Sequence, residues 1–164
     1  MAYISAMKDL RPDVIFGPAY KGIPLAVAIA LLLGGNMGYA YNRKEEKNHG
    51  DGGLIVGASL KERKVAIVDD VMTTGTSSSE AFKIIRANEG IPTSCIIAFD
   101  RQERGDGEVS AVQEFEENFK IPVYPAATLA DLIEVLQETT INEGDAVAGE
   151  ILENILTYQQ EYGV

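Results

Sequence analysis

Val65-Ala-Ile-Val-Asp-Asp-Val-Met-Thr-Thr-Gly-Thr-Ser77 is the stretch whose reading decides the fold. Lys64 to Val68 is a continuous β-favouring run of the kind that is buried on both faces of a parallel sheet. It leads directly into Asp69 and Asp70, then into Thr73, Thr74, Gly75, Thr76 and Ser77. From Gly75 to Asn88 the spacing predicts a helix whose inner face carries Ala81, Ile84, Ile85 and Asn88. A loop that opens a helix presents free N–H groups and the positive end of the dipole. Together these favour an anion by about 0.3–1 kcal/mol. Gly75 is expected to let the backbone approach a phosphate closely, and the hydroxyls add hydrogen bonds to it. Two carboxylates would repel that phosphate unless they face something else. Sugar hydroxyls and a hydrated Mg²⁺ are what carboxylates bind well. The stretch therefore suits a ribose 5-phosphate, with the phosphate on the Thr/Gly side and the diol on the Asp side.

Working outward, strands and helices alternate. Asp13 to Phe16 reads as a short strand, followed by the turn Gly17-Pro-Ala-Tyr-Lys-Gly22 and a helix from Ile23 to Leu33, with Pro24 in its first turn. Gly34-Gly35 stops that helix. Met37 to Arg43 reads as a second strand, and Lys44 to Gly53 as a polar, glycine-rich mobile loop. Beyond the central helix come a strand from Ser94 to Phe99, a helix from Val109 to Phe119 and a strand from Ile121 to Tyr124. A helix from Thr128 to Gln137, capped by Thr128, and one from Glu150 to Tyr162 complete the chain. This alternation predicts an α/β fold, a parallel sheet with helices on both faces, in one domain spanning residues 1–164. Ligands of such sheets bind beyond the carboxyl ends of the strands.

The composition narrows the function. The 164 residues carry a net charge of −11, which disfavours nucleic acid as a partner. No apolar run reaches membrane-spanning length, and the first residues lack a signal-peptide core. The single cysteine, Cys95, fits a reducing compartment and reads as a small buried hydrophobe. The expected location is cytoplasmic. A Walker A loop is absent, because Gly22 is followed by Ile23-Pro24. His49 is the only histidine, so a histidine-cluster metal site is excluded. Asp-Asp after a strand also occurs in phospho-acceptor receiver domains. Those carry the pair on their first strand, however, and give an anion loop no role.

The hydrophobic strand, Asp-Asp and Thr-x-Gly-Thr together resemble the 5-phosphoribosyl 1-pyrophosphate (PRPP) signature of type I phosphoribosyltransferases. Phe16-Gly-Pro-Ala-Tyr-Lys-Gly-Ile-Pro24 resembles the pyrophosphate loop of the orotate phosphoribosyltransferases. Tyr41-Asn-Arg-Lys-Glu-Glu-Lys-Asn-His-Gly-Asp-Gly-Gly53 resembles their catalytic loop, and Phe99-Asp-Arg-Gln-Glu-Arg-Gly105 their orotate-side stretch. The resemblance runs from Phe16 to the Tyr-Gly-Val end.

It implies the type I phosphoribosyltransferase core and transfer of a phosphoribosyl group from PRPP to orotate. The alternatives are transfer to another base, or PRPP sensing without catalysis, with a receiver-type signalling domain as the remote one. By the resemblance Lys47, Asp69 and Asp70 serve catalysis. Lys21, Arg43, Lys44, Lys47 and His49 contact PRPP, together with Asp69, Asp70, Val71, Met72, Thr73, Thr74, Gly75, Thr76 and Ser77. Thr73 and Arg101 contact orotate, where the guanidinium fork suits a carboxylate, while Glu103 and Arg104 read as a surface network. The implied cofactor is Mg²⁺ carried by PRPP, with no direct protein ligand and a link through water to Asp69 or Asp70. The implied assembly is a homodimer in which the 44–53 loop reaches the partner's site. The resemblance also implies a cis Ala19–Tyr20 peptide. It further implies a preceding segment that covers the base. The chain begins inside the helix before the first strand, so that cover is expected to be absent and apolar surface around Phe16, Tyr20 and Ile23 to be exposed.

Overall fold

The computed structural model describes residues 2–45, 54–105, 107–143 and 146–164. In chain order the elements are α1 (Ala2–Ala6), β1 (Val14–Gly17), α2 (Gly22–Leu33), β2 (Gly38–Asn42), β3 (Ile55–Gly57) and β4 (Lys64–Val71), then α3 (Thr76–Ala87), β5 (Ile91–Asp100), α4 (Ala111–Phe119), β6 (Val123–Thr128), α5 (Leu129–Glu143) and α6 (Ala146–Tyr162). The strands form one sheet in the order β3-β2-β1-β4-β5-β6. Every pairing is parallel except that of β2 with β3.

Strand alternation splits the core into two layers. Val14, Phe16, Val65, Ile67, Cys95 and Ile97 point to one face, where Ala81 and Ile85 of α3 and Phe115 of α4 cover them. Ile15, Ala66, Val68 and Ile96 point to the other, under Ala26, Ile29 and Ala30 of α2, Met7 and the partly buried Tyr3 and Ile4 of α1. Helices thus lie on both faces, as the alternation predicts. Parallel β1, β4 and β5 end along one edge, at Gly17, Val71 and Asp100. That edge carries the three loops singled out in the sequence.

Several expectations change in detail. β4 continues through Asp69, Asp70 and Val71, because its ladder with β5 persists to the pairs Asp69–Ile97 and Val71–Phe99. Asn88 is not on the inner face of α3. It is exposed at the helix C-cap, where its Nδ2 donates to the Ile84 carbonyl at 2.8 Å, and Ser78 is buried instead. The short antiparallel β3 was not expected. Thr128 ends β6 and does cap α5: its Oγ1 accepts from Asp131 N at 3.1 Å, and Asp131 Oδ2 accepts from Thr128 N at 2.7 Å. Phe16 is fully buried, not exposed, because its side chain packs in the layer that α3 and α4 cover, and Ile23 is half-buried. Only Tyr20 of that trio is exposed, at 67%. Cys95 is buried, and burial pushes its thiol up to about 12, which makes it inert as a nucleophile.

Candidate active site

The loop after β4 opens α3 without a side-chain cap. Gly75 is the N-cap residue, in the left-handed region at φ 68, and no side chain bonds the first N–H groups. The N-terminus of α4 is different, for there Ser110 and Gln113 close a full capping box. The start of α3 therefore keeps donors that an anion can use. A side chain on Gly75 would meet nothing closer than 3.8 Å. The positive φ favours glycine there, and the open space around its Cα leaves room for a phosphate to approach the backbone. Thr73, Thr74, Gly75, Thr76 and Ser77 line a cavity of about 300 Å³ together with Asp69, Val71, Met72 and Lys44. The hydroxyls of Thr74 and Thr76 lie 2.9 Å apart.

Asp69 and Asp70 are neighbours on β4, so their side chains leave opposite faces of the sheet. Asp69 is 6% exposed and lies on the α3 side. Burial raises its pKa, opposed by the Asp70 N–H donating at 3.0 Å to its Oδ1 and by a bond from Ser77. Asp70 lies on the α2 side, where its Oδ2 is 2.7 Å from Lys21 Nζ. Burial works against its ionisation, but the Lys21 ammonium and the Val71 N–H outweigh it and hold the pKa below the usual carboxylate range. The same contact raises the pKa of Lys21. Both carboxylates, Lys21, Tyr20 and Thr73 line a second cavity of about 410 Å³.

The turn after β1 is closed by its two glycines. A side chain on Gly17 would run into the Gly22 carbonyl, and one on Gly22 would come within 2.7 Å of Pro18 Cδ. This compact turn presents Lys21 at the edge. The Ala19–Tyr20 peptide is cis, as the resemblance implies. Asn42, at the end of β2, accepts a hydrogen bond from Ala19 N at 3.0 Å. Lys44 Nζ sits 4.9 Å from the centre of the Tyr20 ring, within cation–π range. A third cavity, of about 430 Å³, lies between Asn42, Arg43, Lys44 and Ser77. All three cavities share Ala19 and Ser77.

Most of the residues singled out in the sequence therefore converge. Lys21, Arg43, Lys44 and Asp69 through Ser77 surround one connected depression at the carboxyl edge of the sheet. Lys47 and His49 lie outside the described residues. Arg101 follows β5 on the same edge but lines none of these three cavities. It pairs instead with Glu103, Nη2 to Oε2 at 3.0 Å. Sequence reasoning missed Asn42, although it stands directly before Arg43 at the end of a readable strand. It also missed Tyr3, whose hydroxyl donates to the Asp69 carbonyl at 2.8 Å and whose pKa burial and the two aspartates push up to about 12. No local pattern marks that tyrosine, since the contact joins residues 66 positions apart in sequence.

Chemically, the depression offers helix N–H groups and hydroxyls for a phosphate, carboxylates for hydroxyls and lysines for a second anionic group. The family described as the phosphoribosyl transferase domain matches residues 1–125. Orotate phosphoribosyltransferase of Neisseria meningitidis serogroup C is 49% identical over 158 residues, covering 94% of this chain and 71% of that protein. The enzyme of the same name from Thiobacillus denitrificans is 49% identical over 167 residues, covering 99% of this chain and 76% of its own. The crystal structure of orotate phosphoribosyltransferase from Francisella tularensis superposes with a TM-score of 0.82 at 32% identity, covering 99% of this chain and 77% of that one.

Proposed function

This chain belongs to the phosphoribosyl transferase domain family, and from that premise we propose that residues 1–164 act as one orotate phosphoribosyltransferase domain. The reaction joins orotate to the ribosyl C1 of PRPP, giving orotidine 5′-monophosphate and pyrophosphate in pyrimidine biosynthesis. The observation that supports it most is the adjacency of an uncapped helix N-terminus to two carboxylates and a lysine. A 5-phosphate, a ribose diol and a pyrophosphate need those three groups in that order.

In the proposed mechanism the bond from C1 to the pyrophosphate oxygen breaks and its electron pair leaves with pyrophosphate. The orotate nitrogen then bonds to C1 and releases its proton. The α3 N–H groups and Thr73 to Ser77 hold the 5-phosphate. Asp69 and Asp70 hold the ribose hydroxyls and stabilise positive charge on the ring. Lys21, Lys44 and Lys47, with Arg43 and His49, meet the charge that gathers on pyrophosphate. Thr73 and Arg101 meet orotate. Among the described residues no group of three or more His, Cys, Asp or Glu is placed to hold a metal. Mg²⁺ is proposed to arrive on the substrate, where Asp69 or Asp70 would hold it through water and it would neutralise pyrophosphate charge. The proposed assembly is a homodimer whose 44–53 segment reaches the partner's site, and the proposed location is the cytoplasm. No described helix is long and apolar enough to cross a membrane.

The test follows orotate consumption and pyrophosphate release with PRPP, with and without Mg²⁺, against uracil and hypoxanthine as acceptors. Turnover with orotate that stops on chelation is expected. Faster turnover with another base would reassign the acceptor. PRPP binding without pyrophosphate release would replace catalysis by sensing.

A further inference from the structure

Arg101 is held in a way that phosphoribosyl transfer leaves unexplained. Its Nη2 meets Glu103 Oε2 at 3.0 Å, while its Nε is buried with no hydrogen-bond partner. A buried donor of a charged group without an acceptor is unfavourable and calls for a reason. Glu103, in contrast, is fully committed. Its Oε1 accepts from the Tyr158 hydroxyl of α6, and its backbone bridges to Gly163.

The flanking residues are pinned as well. Arg104 N donates to the Tyr162 carbonyl at 2.9 Å and Val164 N to the Gln102 carbonyl at 3.1 Å. Arg104 Nε donates to the Gly163 carbonyl at 3.0 Å. Gln102 N donates to Asp100 Oδ1 at 2.9 Å. The ion pair therefore has one fixed member and one with unspent donors. If one member leaves, it is the guanidinium.

We propose that Glu103, set in place by Tyr158, is a built-in counter-ion for Arg101 that the carboxylate of the acceptor base must displace. The inference rests on the reading that Arg101 meets that carboxylate. It gives α6 a role in the site: the helix carries the tyrosine that holds the competing carboxylate. The arrangement imposes a threshold on acceptor binding, because one carboxylate replaces another at the same guanidinium and only the difference between them appears as affinity. PRPP binding makes no such exchange at Arg101.

The experiment compares KM for orotate and KM for PRPP in Glu103→Gln, Tyr158→Phe and Arg101→Ala. Glu103→Gln keeps an oxygen for Tyr158 and removes the charge. Its KM for orotate is expected to fall about two- to five-fold, the size of a partly exposed ion pair, with KM for PRPP unmoved. Tyr158→Phe loosens Glu103 and should lower the same constant by less. It carries the test alone if Glu103→Gln fails to fold. Arg101→Ala should raise KM for orotate at least about ten-fold. If Arg101→Ala leaves that constant unchanged, the reading of Arg101 fails and the inference with it. If Arg101→Ala raises it while Glu103→Gln and Tyr158→Phe leave it unchanged or raise it, the counter-ion role alone is overturned.

Discussion

Lys21 and Asp70, on the turn after β1 and the end of β4, are joined by a 2.7 Å contact between Nζ and Oδ2. The contact links the group proposed for pyrophosphate to the group proposed for the ribose diol. Binding PRPP would exchange this internal pair for two ligand contacts, lysine to pyrophosphate and carboxylate to hydroxyl. The two sites of charge are then positioned before the ligand arrives, which is where positioning contributes to rate.

Because the Lys21 side chain is 75% exposed, the pair contributes little to stability. Lys21→Ala is expected to leave Tm nearly unchanged and to lower kcat/KM about a hundred-fold, the usual effect of removing one donor to developing negative charge. Lys21→Arg should recover only part of that, since a planar fork replaces a point charge. Thermal melts alongside kinetics decide it, and a large loss of Tm with intact kinetics would make Lys21 a structural residue.

Asn42 fastens the first turn to the end of β2 through the Ala19 N–H. Asn42→Ala should lower stability by about 1 kcal/mol and raise KM for PRPP more than it lowers kcat. Asn42→Asp retains the acceptor and should keep most of the stability. Denaturant titration and KM measurements on both variants check this. Equal losses in the two would show that the amide N–H₂, not Oδ1, is what the site uses.

The sheet and the anion loop were legible because period-2 and period-3.6 patterns and a strand–loop–helix junction are local signals. Lys64 to Val68, Ala81 and Ile85 were readable for that reason. β3 was not, because three residues of strand, Ile55–Gly57, carry too short a pattern and depend on pairing with β2. The opposite facing of Asp69 and Asp70 was in principle readable, since it follows once β4 is known to extend past them. Tyr3 on the Asp69 carbonyl and Tyr158 on Glu103 were not. Each joins residues far apart in sequence, and only packing of α1 and α6 brings them together. Phe16 is buried, as the apolar run from Val14 implies, and the exposure expected around it fails because it packs in the cluster that α3 and α4 cover, a contact that a local reading does not supply.

If the 44–53 segment serves the partner's site, Lys47→Ala and Asp70→Asn disable different halves of one composite site. Each variant alone should be weak. Subunits exchanged in equal amounts should recover about a quarter of wild-type activity, because half of the dimers are mixed and each mixed dimer carries one intact site. Native mass spectrometry would verify exchange. No recovery after verified exchange would place Lys47 in its own subunit's site.

Asp69 is the place where function and stability oppose each other. Burial under α3 raises its pKa, so the folded state holds the proton more tightly than the unfolded chain, whose aspartates titrate near about 3.9. Ionising Asp69 at neutral pH therefore lowers stability, and the loss vanishes once pH falls below the unfolded value. An asparagine there never ionises, and its Oδ1 can still accept from Asp70 N. Asp69→Asn is thus expected to raise Tm by a few degrees at pH 7, with the gain shrinking to nothing below about pH 4. The same change should lower kcat about a hundred-fold, because a neutral amide stabilises a cationic ribosyl ring far less than a carboxylate does. Melts of both proteins from pH 3 to 8 test the first half and single-turnover kinetics the second. A variant that is less stable at every pH would mean that the bonds from Ser77 and Asp70 N outweigh burial, and that the carboxylate holds the loop together rather than straining it.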